Sequence, residues 1–519
     1  MRLINFRQTT CRGRDGMRTV ARPHLIMTMT IVLFGGVLFA ASARAQTVFY
    51  TYDTGPNGIG HLTARSDQSG TVAYSYDSMG RLIRSDQTVN STTYTIQFGY
   101  DQAGRLQEVV YPDNNVGFTS KAEYGYNGPF IDHIDDGGTP PFSYAKYGGY
   151  SALGQPGTVV YGNGVTTTYS YSTSNNQDCP YETYRLCTIT TSDGSSNPVT
   201  YLQQRYAYDA VGNVTAVVDP VNGNQGFAYD ELNRLTAAAG PYGTLNYLYD
   251  QVGNMTYNSS VIYGNASVGF YTYPPGGVSS VHPHAVITAG TNTYTYDNNG
   301  HMLTGTNLIT DDSRTMTYGP DGRLACEADG SNGQVRCQSD PGSVTTFVYD
   351  DGGNRVLKTV NGVSTIYIGR LYECAGGSCM KYVVSGDRQI ASVVASTPAS
   401  TSVNFLHTDL FDSTAVVTNQ TGVSSPALIY LPYGAPPPPY HSSQSPSGVE
   451  QQFRGGTLDA TWLYLFGTQY YDAVLTRFTA PVEASAGLTD PQSLNPYSFM
   501  NDNPLSVPDP LKTPPVNVH

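Results

Sequence analysis

The fold of this 519-residue chain is decided by a short unit that first occurs in full at residues 74–82, with the sequence Tyr-Ser-Tyr-Asp-Ser-Met-Gly-Arg-Leu. Tyr74 and Tyr76 are two positions apart and therefore share one face of a strand. Asp77 favours the first position of a β-turn, and Gly80 suits the fourth. Leu82 then begins a return strand, so the unit predicts a β-hairpin with one aromatic face.

Related units recur along the chain. The tyrosines at 52, 76 and 100, and those at 208, 229 and 249, lie 20 to 24 residues apart, which leaves room for two strands and two turns per copy. Asn233 replaces the glycine in one copy, because Asn also tolerates φ > 0. Weaker copies begin at Tyr52 and Tyr318. We assign a structural role to the Tyr, Asp and Gly positions of the clear copies: Tyr76, Asp77, Gly80, Tyr100, Asp101, Gly104, Tyr208, Asp209, Gly212, Tyr229, Asp230, Tyr249, Asp250, Gly253, Tyr296, Asp297, Gly300, Tyr349, Asp350 and Gly353.

The repetition predicts an all-β fold of stacked hairpins. One hairpin cannot bury its aromatic face alone, whereas hairpins stacked edge to edge bury a continuous strip. The composition agrees, because only 13% of residues are charged while Gly (55) and Tyr (42) are abundant. Such usage is typical of many short strands joined by tight turns. The alternative, unrelated hairpins in a β-sandwich or propeller, leaves the recurring Tyr-Asp turn unexplained.

These units resemble the YD repeats of the RHS (rearrangement hotspot) family, which also occur in toxin-complex C components and in teneurins. The resemblance implies a ribbon of strands that spirals into a hollow shell. Residues 46–395 would be the repeat array, with residues 110–200 degenerate. In the family, such shells enclose a toxic C-terminal domain or, in teneurins, serve adhesion.

The N-terminus predicts export. Arginines precede an apolar run over residues 25–41, and Ala43-Arg44-Ala45 offers the small-x-small pattern of a signal peptidase site. Residues 1–45 are therefore predicted to be a signal peptide, which places the mature protein in the periplasm, at the cell surface or outside the cell. The alternative is an uncleaved membrane anchor, for which the run is short. After cleavage we expect no membrane association.

The charge of the chain argues against nucleic acid as a partner. The net charge is −13, and it becomes −19 without residues 1–45, which hold seven Arg and one Asp. Binding to phosphates needs clustered Lys and Arg, and the sequence has no such stripe.

Six cysteines remain beyond residue 45, and they form close pairs in the sequence. Close pairs in an exported protein favour local disulfides. Metal binding is the alternative, but C-x-x-C spacing and histidines at ligand spacing are both missing. The sequence also lacks a P-loop and a dinucleotide fingerprint, so we predict no metal and no cofactor. The candidate disulfides are Cys179–Cys187, Cys326–Cys337 and Cys374–Cys379.

A second resemblance covers the C-terminal part of the chain. Residues 396–510 resemble the RHS-associated core, with a Pro-rich loop at 435–449 and a short tail at 511–519. The matching motifs, in order, include His407-Thr408-Asp409, Pro432-Tyr433-Gly434, Gln452-Phe453-Arg454-Gly455, Arg477-Phe478, Asn503-Pro504 and Asp509-Pro510.

In family members with cargo, this core implies an intramolecular aspartic protease with two Asp-Pro motifs and an Arg. Arg477 matches the Arg, and Asp509 matches the second Asp. Val482 stands where the first Asp is expected, and Glu483 lies one residue out of register, which in a strand means the opposite face. A shared-proton dyad needs two close carboxylates. We therefore expect degraded proteolysis, with Asp509, Arg477 and Glu483 as its only candidates.

Three functions stay open at this stage. The first is an exported shell protein, a cargo-less or truncated relative of polymorphic toxins, because the tail at 511–519 leaves no room for a toxin domain. The second is a cell-surface protein that binds carbohydrate or mediates adhesion. The third is a self-cleaving protease. The partners expected are a separate cargo or shell-completing chain, or surface glycans.

Overall fold

The computed structural model describes most of the chain beyond the predicted signal peptide. The described residues are 47–112, 121–176, 179, 183–261, 267–277, 280–330, 337, 344–397, 400–437, 449–482 and 491–507. The signal peptide 1–45, most of the Pro-rich loop, Glu483, Asp509 and the tail lie outside them. The chain divides into two compact units, Met1–Phe98 and Gly99–His519.

The first unit is an antiparallel meander in which each strand pairs with the next. The last of its strands runs two residues past the unit boundary. The strands are β1 Phe49–Tyr52, β2 Leu62–Asp67, β3 Gly70–Tyr76, β4 Leu82–Val89 and β5 Thr92–Tyr100.

The second unit begins with a long antiparallel ladder in chain order. Its strands are β6 Leu106–Val110, β7 Lys121–Asn127, β8 Phe130–Asp135, β9 Ser143–Gly148, β10 Thr158–Tyr161, β11 Thr166–Tyr171, β12 Leu186–Ser192, β13 Thr200–Tyr208, β14 Val214–Val218, β15 Gln225–Tyr229, β16 Leu235–Gly240, β17 Gly243–Tyr249, β18 Met255–Val261, β19 Ser267–Thr272, β20 Thr288–Ala289 and β21 Asn292–Thr293.

A second sheet of twelve strands follows, also paired in chain order, and then a small sheet of four strands. The twelve are β22 Thr295–Tyr296, β23 Met302–Asn307, β24 Asp312–Tyr318, β25 Leu324–Gly330, β26 Thr345–Tyr349, β27 Arg355–Val360, β28 Val363–Ile368, β29 Tyr372–Ala375, β30 Ser378–Ser385, β31 Arg388–Thr397, β32 Ser400–Thr408 and β33 Thr414–Asn419. The four are β34 Thr457–Leu458, β35 Leu463–Phe466, β36 Gln469–Asp472 and β37 Arg477–Phe478.

The predicted all-β fold class is confirmed. The helices of the described residues are short 3-10 segments at Phe453–Gly455, Pro491–Leu494 and Met500–Asp502. None of the described residues forms a helix that is long and apolar enough to cross a membrane.

The Tyr-Asp turns have the geometry that the sequence predicts. The Gly80 N–H donates to the Asp77 carbonyl at 3.0 Å, and the Asp77 N–H donates to the Arg81 carbonyl at 3.0 Å. Gly80 has φ 79°, and Asn233 takes the same role with φ 62°. Positive φ at this position explains why only Gly or Asn occurs there.

A β-bulge precedes the motif tyrosine in successive copies, and the sequence pattern does not reveal it. Tyr76 pairs with Leu82, while Ser75 pairs with Arg84, so the return strand carries one extra residue. The same shift precedes Tyr208, Tyr229, Tyr249, Tyr296, Tyr318 and Tyr349. Because bulges increase local twist, each of these strand pairs is expected to twist more strongly at its turn.

The main hydrophobic core of the second unit lies between its two large sheets and the part of the chain that follows β33, which we call the C-terminal segment. Its centre is an aromatic cluster in which Phe499 stacks on Tyr471 with ring centroids 4.4 Å apart. Phe466 lies 5.1 Å from the same ring. Leu463 and Leu475 are fully buried beside this cluster. The C-terminal segment therefore supplies the packing that closes the core.

Antiparallel strand pairing continues through the degenerate stretch 110–200 and across the predicted array–core boundary. The degenerate stretch 110–200 keeps consecutive antiparallel pairing from β7 to β12. The second sheet also crosses the array–core boundary predicted at 395/396, because β31 pairs with β32. The same pairing of consecutive antiparallel strands therefore continues into the region that resembles the RHS-associated core.

Candidate functional site

Tyrosines of eight hairpins tie their hairpin to the one before it. Each of these hydroxyls donates to the backbone carbonyl of the residue with which the preceding return strand begins, or of a residue close to it. The pairs, with their O···O distances, are Tyr76 to Leu62 (2.7 Å), Tyr126 to Leu106 (2.7 Å), Tyr150 to Ile131 (2.6 Å), Tyr171 to Pro156 (2.9 Å), Tyr208 to Leu186 (2.7 Å), Tyr229 to Val214 (2.7 Å), Tyr249 to Leu235 (2.7 Å) and Tyr273 to Met255 (2.7 Å). The Tyr318 hydroxyl instead donates to the Thr479 carbonyl at 3.2 Å, and the Tyr349 hydroxyl has no hydrogen-bond partner among the described residues.

The motif aspartates close their own turns. Asp230 Oδ1 accepts the backbone N–H groups of Leu232 at 3.0 Å and Arg234 at 2.9 Å, and its Oδ2 accepts Arg234 Nε at 2.7 Å. The equivalent side-chain pairs are Asp77–Arg81, Asp101–Arg105, Asp209–Asn213, Asp250–Asn254, Asp297–His301 and Asp350–Asn354. This explains why Arg, Asn or His follows the glycine.

A flat side chain at the turn of one repeat also covers the tyrosine ring of the next. The stacked rings are His61 on Tyr76, Phe130 on Tyr150 and His301 on Tyr318, with centroids 4.4 to 4.6 Å apart. Guanidinium groups take this place in Arg105 over Tyr126, Arg185 over Tyr208 and Arg234 over Tyr249. The polar and aromatic side chains of the motif are therefore used in contacts within a turn and between successive hairpins.

Arg477, the one described residue among the predicted catalytic candidates, is buried in β37. Its Nη1 lies 3.2 Å from Asp502 Oδ1, and its Nη2 lies 3.4 Å from the Tyr273 hydroxyl. Asp502 ends a 3-10 helix and is fully buried. Sequence reasoning missed Asp502, because no motif singles it out.

Burial and ion pairing act in opposite directions on the pKa of Asp502. Burial raises the pKa of Asp502 to about 6, although Arg477 acts in the opposite direction. Asp502 Oδ2 and Arg477 Nε have no hydrogen-bond partner among the described residues. No second described carboxylate is hydrogen-bonded to Asp502, so these residues form an ion pair and not a shared-proton dyad.

A second buried network joins the second sheet to the small sheet. Arg314 on β24 contacts Glu327 at 3.0 Å, Asp329 at 3.1 Å and Asp472 at 2.9 Å. Asp472 belongs to β36, which lies 158 residues further along the chain. The network therefore fastens the C-terminal segment onto the sheet.

A third network lies one hairpin further along. Arg355 Nη1 lies 2.5 Å from Asp459 Oδ2, and Lys358 Nζ lies 2.9 Å from both Asp459 Oδ1 and Glu450 Oε1. Burial acts to raise the pKa of Asp459, but Arg355 and Lys358 hold that pKa below its ordinary value. Asp459 is therefore an ionised group that is stabilised by two long-range cations.

A cavity of about 1680 Å³ adjoins this third network. Strands of the first ladder, the second sheet and the C-terminal segment all line it, including Tyr169, Tyr367 and Arg388. Burial, and then the nearby Glu450, raise the pKa of Glu373 at its wall to about 7. The cavity is larger than the roughly 300–1,000 Å³ of ordinary small-ligand sites.

The size of this cavity limits its contents. A folded domain of 100 residues has a radius of gyration of about 13 Å, and a sphere of that radius alone encloses roughly 9,000 Å³. The described cavity therefore fits a ligand or an extended peptide and not a folded domain.

The three predicted cysteine pairs are joined by disulfide bonds in the structure: Cys179–Cys187, Cys326–Cys337 and Cys374–Cys379. The last of them links directly opposed residues of the hairpin β29–β30.

Comparison with known proteins identifies the repeats. The family described as RHS Repeat matches residues 57–92 and 208–245. The chain contains RHS repeats. The RHS-repeat matches coincide with turns whose Tyr, Asp and Arg contacts are given above, at Tyr76 and at Tyr208 and Tyr229.

Solved structures of toxin complexes share the fold of this RHS-repeat chain. A crystal structure of TcdB2-TccC3-TEV is similar with a TM-score of 0.70 and 19% identity, over 89% of this chain and 25% of that chain. The Photorhabdus luminescens Tc holotoxin pore gives a TM-score of 0.71 and 18% identity, over 91% and 25%. The RHS-repeat chain thus spans about a quarter of the length of these chains. No curated protein sequence matches it.

Proposed function

We propose that this chain is an exported structural RHS-repeat protein that holds a ligand in its cavity, as a relative of polymorphic toxins that acts by containment and not by catalysis. The observation that carries the proposal is the cavity of about 1680 Å³ between the ladder, the second sheet and the C-terminal segment. Its size supports a role without folded cargo.

Native mass spectrometry tests containment. We expect the purified protein to carry a non-covalent mass that is lost on denaturation. Ala152 lines the cavity, so Ala152→Trp should reduce the bound fraction, whereas Ala207→Trp on an exposed strand face should not. Identical native and denatured masses for the wild-type protein would contradict containment.

Export is supported by the predicted signal peptide and by the three disulfides, which persist in oxidising compartments. We expect secreted material to begin at Gln46 and to contain no free thiol among its six cysteines. A protein that stays in the cytoplasm with free thiols would contradict export.

Self-cleavage is the competing enzymatic function. Asp509 is the candidate for the residue that would activate the attacking water. We expect the C-terminal mass to be the same in wild-type protein and in Asp509→Asn. A clipped C-terminus that is lost in this variant would establish proteolysis instead.

A second candidate function is glycan binding on the outer face. Tyr257 and Phe270 form a cross-strand pair with ring centroids 4.8 Å apart, in which Tyr257 is half-buried and Phe270 is 68% exposed. Aromatic faces of this kind can stack on sugars. A glycan array that compares the wild-type protein with Phe270→Ala tests this function. We expect weaker binding by the variant, and no binding of the wild-type protein to any glycan would contradict the function.

A further inference from the structure

Carboxylates outnumber cations at one wall of the cavity. Glu373 on β29 and Glu450 both line this wall. Arg355 and Lys358 lie beside them, and the remaining carboxylate, Asp459, binds these two cations at 2.5 Å and 2.9 Å. Three carboxylates therefore face two cations, and the wall has an excess negative charge whenever Glu373 is ionised.

Glu373 is the carboxylate whose charge is not compensated. Burial, and then Glu450, raise its pKa to about 7, while Lys358, a hydrogen bond from Tyr382 and Arg355 act in the opposite direction. A further cation near this carboxylate would favour its ionised form. The wall therefore has a place for one more positive charge, which a ligand can supply.

A second acceptor of the cavity wall lacks a partner. Gln389 on β31 lines the cavity and is 6% exposed, and its Oε1 has no hydrogen-bond partner among the described residues. Its Nε2 donates to the Arg370 carbonyl at 3.3 Å, which identifies the other end of the amide as an acceptor. A buried acceptor without a donor costs free energy, so this position favours a ligand that donates a hydrogen bond.

The two acceptor positions are close enough for one small molecule to reach both. Arg370, which holds the Gln389 amide, precedes Glu373 by three residues, and three residues of extended chain span roughly 10 Å. Tyrosines also line the cavity, and aromatic rings attract ammonium groups. Both acceptors and the rings therefore favour a ligand with more than one amine.

The arginines of the cavity do not call for an anion, because protein groups already bind them. Their bonds, from donor to acceptor, are Arg370 to the Asp387 carbonyl (2.7 Å), Arg388 to the Asp412 carboxylate, and Arg454 to the carbonyls of Pro504 (3.0 Å) and Ser506 (3.1 Å).

We propose that this wall of the cavity binds a linear polyamine, with one ammonium group at Glu373 and Glu450 and a second that donates to Gln389 Oε1. Spermidine is a suitable probe, because it carries several ammonium groups on a flexible apolar chain. The inference rests on the proposed containment of a ligand, and it names the chemical class of that ligand.

Isothermal titration calorimetry with spermidine on the full secreted protein tests the carboxylate. At pH 7.5 we expect Glu373→Gln, which keeps the shape of the side chain but removes its charge, to weaken binding by about 5- to 10-fold. Glu231→Gln, in an exposed turn outside the cavity, should leave the affinity unchanged. No binding by the wild-type protein, or equal affinities of the two variants, would overturn the proposal, because equal affinities indicate general attraction to an acidic surface.

The pH dependence of binding supplies a readout that a purely structural role of Glu373 would not change. With a pKa of about 7, the ionised fraction of Glu373 rises from about 10% at pH 6 to about 75% at pH 7.5. Spermidine should therefore bind the wild-type protein about 4-fold more tightly at pH 7.5 than at pH 6. Glu373→Gln should show no such change, and parallel profiles of the two proteins would overturn the assignment.

Gln389→Met tests the second acceptor, because it keeps the size of the side chain and removes the amide. We expect about 3- to 10-fold weaker spermidine binding, whereas Gln203→Met on an exposed strand face should have no effect. Equal affinities of these two variants would overturn the role of Gln389. A co-purified mass in a protein that does not bind spermidine would overturn the polyamine alone, whereas identical native and denatured masses would contradict containment itself.

Discussion

Asp230 in the repeat array and Asp459 in the C-terminal segment close the same backbone turn with different side-chain partners. The Asn233 N–H donates to the Asp230 carbonyl at 3.0 Å, and the Trp462 N–H donates to the Asp459 carbonyl at 2.9 Å. Asp230 binds Arg234 of its own turn. Asp459 binds cations of the second sheet, about 100 residues earlier.

The difference shows how one turn serves two purposes. In the array, charges are neutralised locally, so each repeat completes its own hairpin and stability is approximately additive along the chain. In the C-terminal segment, the turn side chain is buried and shared between sheets. Loss of one such group should therefore affect two elements at once.

The largest effect is expected for Asp459→Asn. The change preserves shape but leaves Arg355 and Lys358 buried with Glu450 as their remaining carboxylate. Breaking a buried ion pair from one side costs about 3–5 kcal/mol. We expect a loss of that size in the free energy of unfolding, measured by urea denaturation.

Asp230→Asn is the matched control for that prediction. Its carboxylate is partly exposed and its bond to Arg234 is local, so the loss should be about 1 kcal/mol. Equal losses for the two variants would remove the distinction between the two regions.

The next effect concerns pH and Asp502. Its pKa is about 6 in the folded protein and 3.8 when unperturbed, so the folded state binds the proton more tightly. The contribution of this group to stability is therefore greatest below pH 3.8 and falls as the pH rises to about 6. Relative to Asp502→Asn, the wild-type protein should lose about 2 kcal/mol between pH 4 and pH 7. Urea unfolding of both proteins at both pH values measures this, and parallel pH profiles would contradict it.

The predictions for Asp459 and Asp502 concern residues that the sequence pattern did not single out. The hairpin unit was readable because its Tyr, Asp and Gly lie within five residues and their roles are local. Asp502, Asp472 and Asp459 acquire their roles from cations far away in sequence, which only the folded chain brings close. Asp459 is followed by Leu463 four residues later, whereas the hydrophobic residue of a Tyr-Asp unit follows its Asp by five residues, so the spacing does not mark Asp459 as a turn of this kind.

The backbone register of the hairpins could not be predicted from the sequence pattern either. Alternation predicts which residues share a face, but it does not reveal the extra residue opposite each motif tyrosine. The cysteine pairs were predictable, because both members of each pair lie close together in the chain.

A moderate effect is expected for Gly212→Ala. Gly212 has φ 102°, and a Cβ there would lie 2.3 Å from Arg185 Nη2 of the preceding turn. We expect a loss of about 1–3 kcal/mol from backbone strain. Gly226→Ala is the control, because an added Cβ meets nothing within 4 Å there. Thermal unfolding should separate the two variants, and similar melting temperatures would contradict backbone strain at this turn position.

The smallest effect is expected for a single inter-repeat tie. Tyr229→Phe removes the bond to the Val214 carbonyl at 2.7 Å and should cost about 1 kcal/mol. Tyr257→Phe on the outer face should cost nothing measurable. Urea denaturation of both variants checks this, and a neutral Tyr229→Phe would mean that the ties do not stabilise the array.

Hydrogen exchange tests most directly the claim that array charges act locally while the charges of the C-terminal segment join two sheets. We predict that Asp230→Asn raises exchange in the hairpin β15–β16 and its neighbours. Asp459→Asn should raise it both in β34–β36 and in the hairpin β27–β28, because β27 carries the partner cations. Increased exchange confined to β34–β36 in the Asp459 variant would contradict the account.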